Sequence, residues 1–224
     1  MESDAIAVGQ QAWFSLCEQA DLAAAFRSPL WQSLSTLYLA PTRAYHNLNH
    51  ILDCLHIAQP YLPHTQDPLA VQLALWFHDA IYDPHAADNE AQSAVFAGST
   101  LNTAGLSPSL VQEIQRLILT TASHQAEPGD RNAPLLLDAD LAILGAAADK
   151  YQQYAQAIRQ EYAWVDETSY RQGRGRVLQQ FCQRERIYLT QPLYEQRETL
   201  ARYNLQQELE RLKHEELPQI ISAR

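Results

Sequence analysis

The chain has 224 residues, 46% of them hydrophobic and 19% charged, a composition that fits a soluble globular protein with a sizeable core and excludes a disordered one. Sixteen Lys+Arg against 26 Asp+Glu give a formal charge of −10, so a long nucleic acid or an anionic membrane is an unfavourable partner for the molecule as a whole. The start MESDAIAVGQ is acidic where a signal peptide is basic, and no apolar run approaches the ~20 residues of a membrane span; the expected compartment is the cytoplasm.

Apolar residues recur at three- and four-residue spacing almost throughout and glycine occurs only seven times, so the expected fold class is all-α. Helices are expected at about 5–26, 28–39, 46–59, 68–82, 88–104, 107–123, 134–144, 147–163, 167–188 and 192–216. Asp67-Pro68 and Ser107-Pro108 each place a capping side chain before a proline at the first helical position, while Pro84 and Gly105 stop the helices before them. HQAEPGDRNAP, residues 124–134, is the one long loop-like stretch, and no linker divides the chain. A single helical domain over 1–224 is expected, with its core at about 28–145. An extension at about 146–216 forms a helical hairpin, closed by the amphipathic ETLARYNLQQELERL. Cys17, Cys54 and Cys182 are odd in number, far apart and free of C-x-x-C spacing, so they read as small buried residues.

Polar residues interrupt three apolar segments. AYHNLNHI carries His46 and His50 four apart, one above the other if helical, with Asp53 three residues on. LWFHDAIYDP places His78 and Asp79 directly after LALWF, where a helix is buried on nearly every side and an ionised carboxylate needs a partner. LLLDADLAIL interrupts a third run with Asp138 and Asp140. Two or three His and two or three Asp on separate helices form a nitrogen and oxygen donor set without thiolate. Such a set favours Mn²⁺, Fe²⁺, Co²⁺, Ni²⁺ or Zn²⁺ over Ca²⁺, with Mg²⁺ poorly matched to imidazole.

The order H…HD…D, with 28 residues from His50 to His78 and 61 from Asp79 to Asp140, resembles the HD-domain metal-dependent phosphohydrolases, an all-helical superfamily. The blocks YHNLNHI, FHDAIYD, DNE and DADLAILG together resemble most closely its predicted bacterial phosphohydrolases, over residues 10 to 215. The resemblance implies an HD-type helical bundle with His50, His78, Asp79 and Asp140 as ligands of one divalent metal. YHNLNH is similar to the Y-H-N-x-x-H signature of cyclic-nucleotide phosphodiesterases, which implies His46 as general acid to the leaving oxygen. HDAIYDP is similar to the H-D-x-x-E-D run of guanosine tetraphosphate hydrolases, with Tyr82 where that family has Glu. Asp138 and Asp140 diverge by about 200° on a helix, and ADLAIL fits Asp140 to the superfamily's distal ligand, leaving Asp138 as a cap or supporting partner. Some members bind two metals, which makes His124 a candidate second-metal ligand; a cation at a helix C-terminus is its other reading.

The implied activity is hydrolysis of a small, nucleotide-like phosphoester or phosphoanhydride, the metal lowering the pKa of water and polarising a phosphoryl oxygen. Asp83, one turn beyond Asp79, is the second catalytic candidate, positioning water. In an acidic chain the phosphate's donors must be local, and Arg43 with Arg171, Arg174 and Arg176 of YRQGRGR are the candidates. Lys150, His56, His64, His85 and His214 read as structural or surface residues. Two other readings share the ligand pattern: a di-iron oxygenase, for which His124 and Asp83 enlarge the ligand set, and a nucleotide-binding module without turnover.

Overall fold

The computed structural model describes residues 2–214 and, of residues 2, 3 and 214, the backbone only; the His214 side chain therefore lies outside the described residues. Among the described residues ten α-helices run in chain order: α1 Glu2–Gln19, α2 Ala24–Tyr38, α3 Leu48–Ala58, α4 Pro68–Phe77, α5 Asn89–Thr103, α6 Pro108–Thr120, α7 Ala133–Asp140, α8 Ala148–Glu161, α9 Glu167–Gln183 and α10 Gln191–His214. Short 3₁₀ segments follow α3, at Gln59–His64, and α7, at Leu141–Gly145. No strand occurs among the described residues, and the fold is all-α.

The centre of the bundle is α4, whose PLAVQLALWF sequence is apolar on every side. Residues from Leu73 through Phe77 are all buried, because α1, α3, α5, α6 and α7 surround them. Trp76 is held edge-on between Trp13 of α1 (5.6 Å between centroids) and Trp31 of α2 (6.1 Å), the offset geometry that aromatic quadrupoles favour. One hydrophobic cluster extends from these tryptophans to Leu178 of α9 and Leu205 of α10. α9 and α10 pack antiparallel: Arg202 reaches the Cys182 carbonyl, and Arg174 pairs with Glu208.

Several helix ends follow local chemistry. Asp67 accepts from the Ala70 N–H with Pro68 at the first helical position, and Ser107 accepts from the Leu110 N–H ahead of Pro108. Gly105, at φ +90°, lets the Leu106 N–H close back on the Leu101 carbonyl and end α5. Other ends differ from expectation. The first break falls at 20–23, where Asp21 (φ 50°) turns left-handed, and α2 then runs through Pro29. α4 ends at Phe77 rather than 82, and α9 ends at Gln183 rather than 188. The segment after α9 is a loop, buried at Ile187 and Tyr188, whose N–H groups are taken by carboxylates: Ile187 and Tyr188 donate to Glu198, Leu189 and Thr190 to Asp138.

Candidate metal centre

The site lies where α3, the end of α4 and the end of α7 meet. Asn47 accepts a 2.9 Å hydrogen bond from the Asn49 N–H, so α3 begins at Leu48 and His50 occupies its first turn. His46 therefore lies outside the helix. This corrects the expectation that His46 and His50 share a helical face; the turn before the cap brings their rings together instead, 5.9 Å apart.

His78 makes the last i→i−4 bond of α4, through its N–H to the Ala74 carbonyl, and Ala80 then closes a tighter turn on the Phe77 carbonyl. Beyond it the carbonyls of Asp79 and Ala80 turn away from the helix and accept from the Arg43 guanidinium at 2.6 and 2.8 Å; Arg43 also donates to the His46 carbonyl at 2.9 Å. Arg43 is thus a buried clamp between the two motif segments. Expected to face phosphate, it is committed to three backbone oxygens, which also explains why α4 stops short of Pro84.

Asp140 ends α7, and its Oδ1 lies 3.2 Å from His50 Nε2 and 3.5 Å from His78 Nε2. Asp79 Oδ2 lies 3.4 and 3.3 Å from the same two nitrogens, which are themselves 3.3 Å apart. Asp138 points elsewhere. Fully buried, it accepts from Leu189 N–H, Thr190 N–H and the Thr190 hydroxyl, so it ties α7 to the chain before α10.

The carboxylate oxygens only accept, and a neutral imidazole presents one acceptor nitrogen. The Leu75 carbonyl, 3.0 Å from His78 Nδ1, fixes the proton there, so His78 offers Nε2 to the cluster, while Cys54 Sγ lies 3.6 and 3.7 Å from the two nitrogens of His50. Burial opposes charge on every member. For His78 the Asp79 and Asp140 carboxylates outweigh burial and hold the imidazole well above the usual histidine range. For His50, Cys54 and Tyr45 with hydrogen bonds to Asp140 and Asp79 do the same. In return the imidazoles, chiefly His78, hold both carboxyls well below the usual carboxylate range. The cluster demands positive charge, and either protons or a metal ion supplies it. An ion with ~2.1 Å bonds sets neighbouring ligand atoms about 3.0–3.4 Å apart, close to the separations found. His50, His78 and Asp140 could hold a metal ion, and Asp79 Oδ2 lies within 3.4 Å of both histidines.

His124 was expected at the end of a helix; α6 stops at Thr120, and His124 sits four residues on in a left-handed turn (φ 49°). Its Nε2 lies 2.9 Å from Asp140 Oδ2, the oxygen that does not face His50 and His78. Arg184 holds this turn by donating to the Ser123 and His124 carbonyls, both at 2.9 Å. Asp83 is exposed and holds the turn ahead of α5, accepting from the His85 N–H while its own N–H donates to Asn89. Asp53 is exposed and pairs with Lys150 at 2.8 Å. The α9 arginines serve the C-terminal hairpin: Arg174 is buried against Glu208 and Tyr154, Arg171 pairs with Glu167, and Arg176 is exposed.

Glu161 is the residue that sequence reasoning missed. From the last position of α8 it accepts from His46 Nδ1 (2.7 Å), the Tyr45 and His46 backbone N–H groups (2.7 and 3.0 Å) and the Tyr82 hydroxyl (3.0 Å). Burial opposes its charge, but these hydrogen bonds, led by His46, hold its carboxyl below the usual range. A carboxylate only accepts here, so His46 Nδ1 carries the proton and Nε2 is the nitrogen left for chemistry. The Tyr82 ring stacks on His46 at 4.2 Å and fixes its plane. A signal existed: an acid at a helix C-terminus opposes the macrodipole and asks for a reason.

No family model, curated protein or solved structure matches the chain.

Proposed function

We propose that the protein is a metal-dependent phosphohydrolase acting on a small, nucleotide-like phosphoester or phosphoanhydride. The observation that carries this reading is the convergence of two imidazole nitrogens and two carboxylates, from His50, His78, Asp79 and Asp140, beside a histidine oriented by a buried carboxylate. The ordered motifs that resemble the HD phosphohydrolases support it. Those four residues would hold a divalent transition metal, whose chemistry when bound is Lewis acidity toward a phosphoryl oxygen and a lowered pKa for water. His46 does the complementary work. With Nδ1 held by Glu161, its Nε2 is the nitrogen that would deliver a proton to the departing oxygen. Arg43 holds the His46 turn and the His78-Asp79 turn in one frame, so proton donor and metal ligands keep their spacing.

The test is phosphate release from nucleotides and p-nitrophenyl phosphate with Mn²⁺, Co²⁺, Ni²⁺ or Mg²⁺, alongside metal analysis. His46→Ala is expected to keep its metal and lose roughly 10²–10⁴-fold in turnover. Absence of release from every substrate and metal, or full turnover in His46→Ala, overturns the reading.

One observation favours a two-metal form. Asp140 directs Oδ1 to His50 and His78 and Oδ2 to His124, so a second ion would find His124 and the other oxygen of Asp140 as ligands. Two metals serve a two-metal hydrolase or a di-iron oxygenase. Stoichiometry separates them from the mononuclear form: His124→Ala drops from two ions to one only if the second site exists, and iron with oxygen consumption marks the oxygenase.

A further inference from the structure

A cavity of about 250 Å³ opens beside His50 and Asp140, and nothing in the metal reading uses its far end. One stripe of α3, His50, Asp53, Cys54 and Ile57, forms its first wall at helical spacing. Opposite stand the end of α7, the Leu141–Gly145 turn, Lys150 of α8 and Arg197 of α10. Most of the remaining wall is alanine and isoleucine. Just below the usual ligand-cavity range of roughly 300–1,000 Å³, it admits a small molecule and no polymer.

Two cations bring positive charge to this cavity in a chain of net charge −10. The arginines read from the sequence as phosphate donors are not among its lining residues. Lys150 Nζ pairs with Asp53 Oδ2 at 2.8 Å, with both side chains more than half exposed. An ion pair at that exposure contributes little, so an arriving anion can compete for the ammonium at small cost. Arg197, on the opposite wall, donates Nη1 to the Ala142 and Gly145 carbonyls at 3.2 and 3.5 Å, which holds its guanidinium at the cavity.

We infer that this cavity holds the part of the substrate beyond the reacting phosphate, and that Lys150 and Arg197 recognise a second anionic group on it, a carboxylate or a further phosphate. The substrate class is then a small bis-anionic phosphate compound with a short, largely apolar span between its charged ends. This rests on His50, His78, Asp79 and Asp140 as the metal centre that takes the first end.

The test is calorimetric titration of the full Mn²⁺-loaded chain, free Mn²⁺ removed, with three series of matched and increasing length: alkylphosphonates, phosphonocarboxylates and bisphosphonates. At one length the second anion is expected to tighten binding about tenfold, the size of one charge-assisted hydrogen bond. Lys150→Gln, an exposed substitution checked by an unshifted melting temperature, brings the bis-anion down to the alkylphosphonate's affinity. Asp53→Asn, which removes the competitor for Lys150, enlarges the gain. The more favoured terminus identifies the second group. A second anion without benefit at every length, or a gain that survives Lys150→Gln, overturns the inference. Phosphonate affinity that ignores Mn²⁺ breaks the metal reading instead, and the response to Lys150→Gln still decides the cavity's role.

Discussion

Glu161 keeps a negative charge in a buried position because four donors converge on it, and that arrangement has a defined pH signature. Its carboxyl lies below the usual value of about 4.5 in the folded chain, so its stabilisation is present above that value and lost as pH falls through the folded one. Glu161→Gln keeps the shape but not the charge and is expected to cost about 1–3 kcal/mol near neutrality. The melting-temperature gap between wild type and variant should narrow as pH drops below about 5; a gap constant across that range refutes the assignment. Because Glu161 acts through His46, the variant should keep its metal, lower kcat more than KM, and alter the pH profile of kcat. A merely structural role would leave the profile unmoved.

At the scale of elements, α7 carries two aspartates with opposite duties. Asp138 fastens the chain ahead of α10, while Asp140 belongs to the cluster. Burial pushes the Asp138 carboxyl up to about 6, against the donors from Leu189 and Thr190. Its sign is opposite to that of Glu161: the folded state holds a proton that the unfolded chain has lost, so the group's stabilisation declines as pH rises from about 4 to about 6. Asp138→Asn should flatten that slope, cost about 1–3 kcal/mol at neutral pH and retain metal. Asp140→Asn should lose metal; elemental analysis and denaturant melts on the two variants check the division, and metal loss in Asp138→Asn contradicts it. The helices themselves were legible because their apolar period is strong and because Asp67, Ser107 and Gly105 are local punctuation. The cluster's residues were legible because each interrupts an apolar run. What stayed hidden is tertiary: Arg43 binds carbonyls, which no sequence letter reports, and Glu161 meets His46 across 115 residues. The Asn47 cap that puts His46 outside α3 was readable in YHNLNH, but the helical spacing of the two histidines outweighed it.

For the whole molecule, the cluster is a tertiary staple. It joins α3, the end of α4 and α7, with His124 adding the turn after α6 and Arg184 linking that turn to the end of α9. The unfolded chain has no such site, because the ligands are scattered over 90 residues from His50 to Asp140. A divalent ion bound only by the folded state adds about 2.7 kcal/mol at a hundredfold excess over Kd. At ~2–4 °C per kcal/mol for a chain of this size, Mn²⁺ should raise the melting temperature by about 5–11 °C, reversibly with a chelator. His78→Ala should show no such rise. The protonation of the ion-free cluster supplies a sharper check. His50 and His78 are held well above the ordinary histidine range, so protons and a metal ion compete for the same nitrogens. Mn²⁺ titrations in buffers of different ionisation enthalpy should therefore report proton release, and the thermal stabilisation by Mn²⁺ should shrink as pH falls and protons compete. Stabilisation without proton release would mean that the ion sits elsewhere on this acidic surface, and His78→Ala would then melt like wild type in its presence.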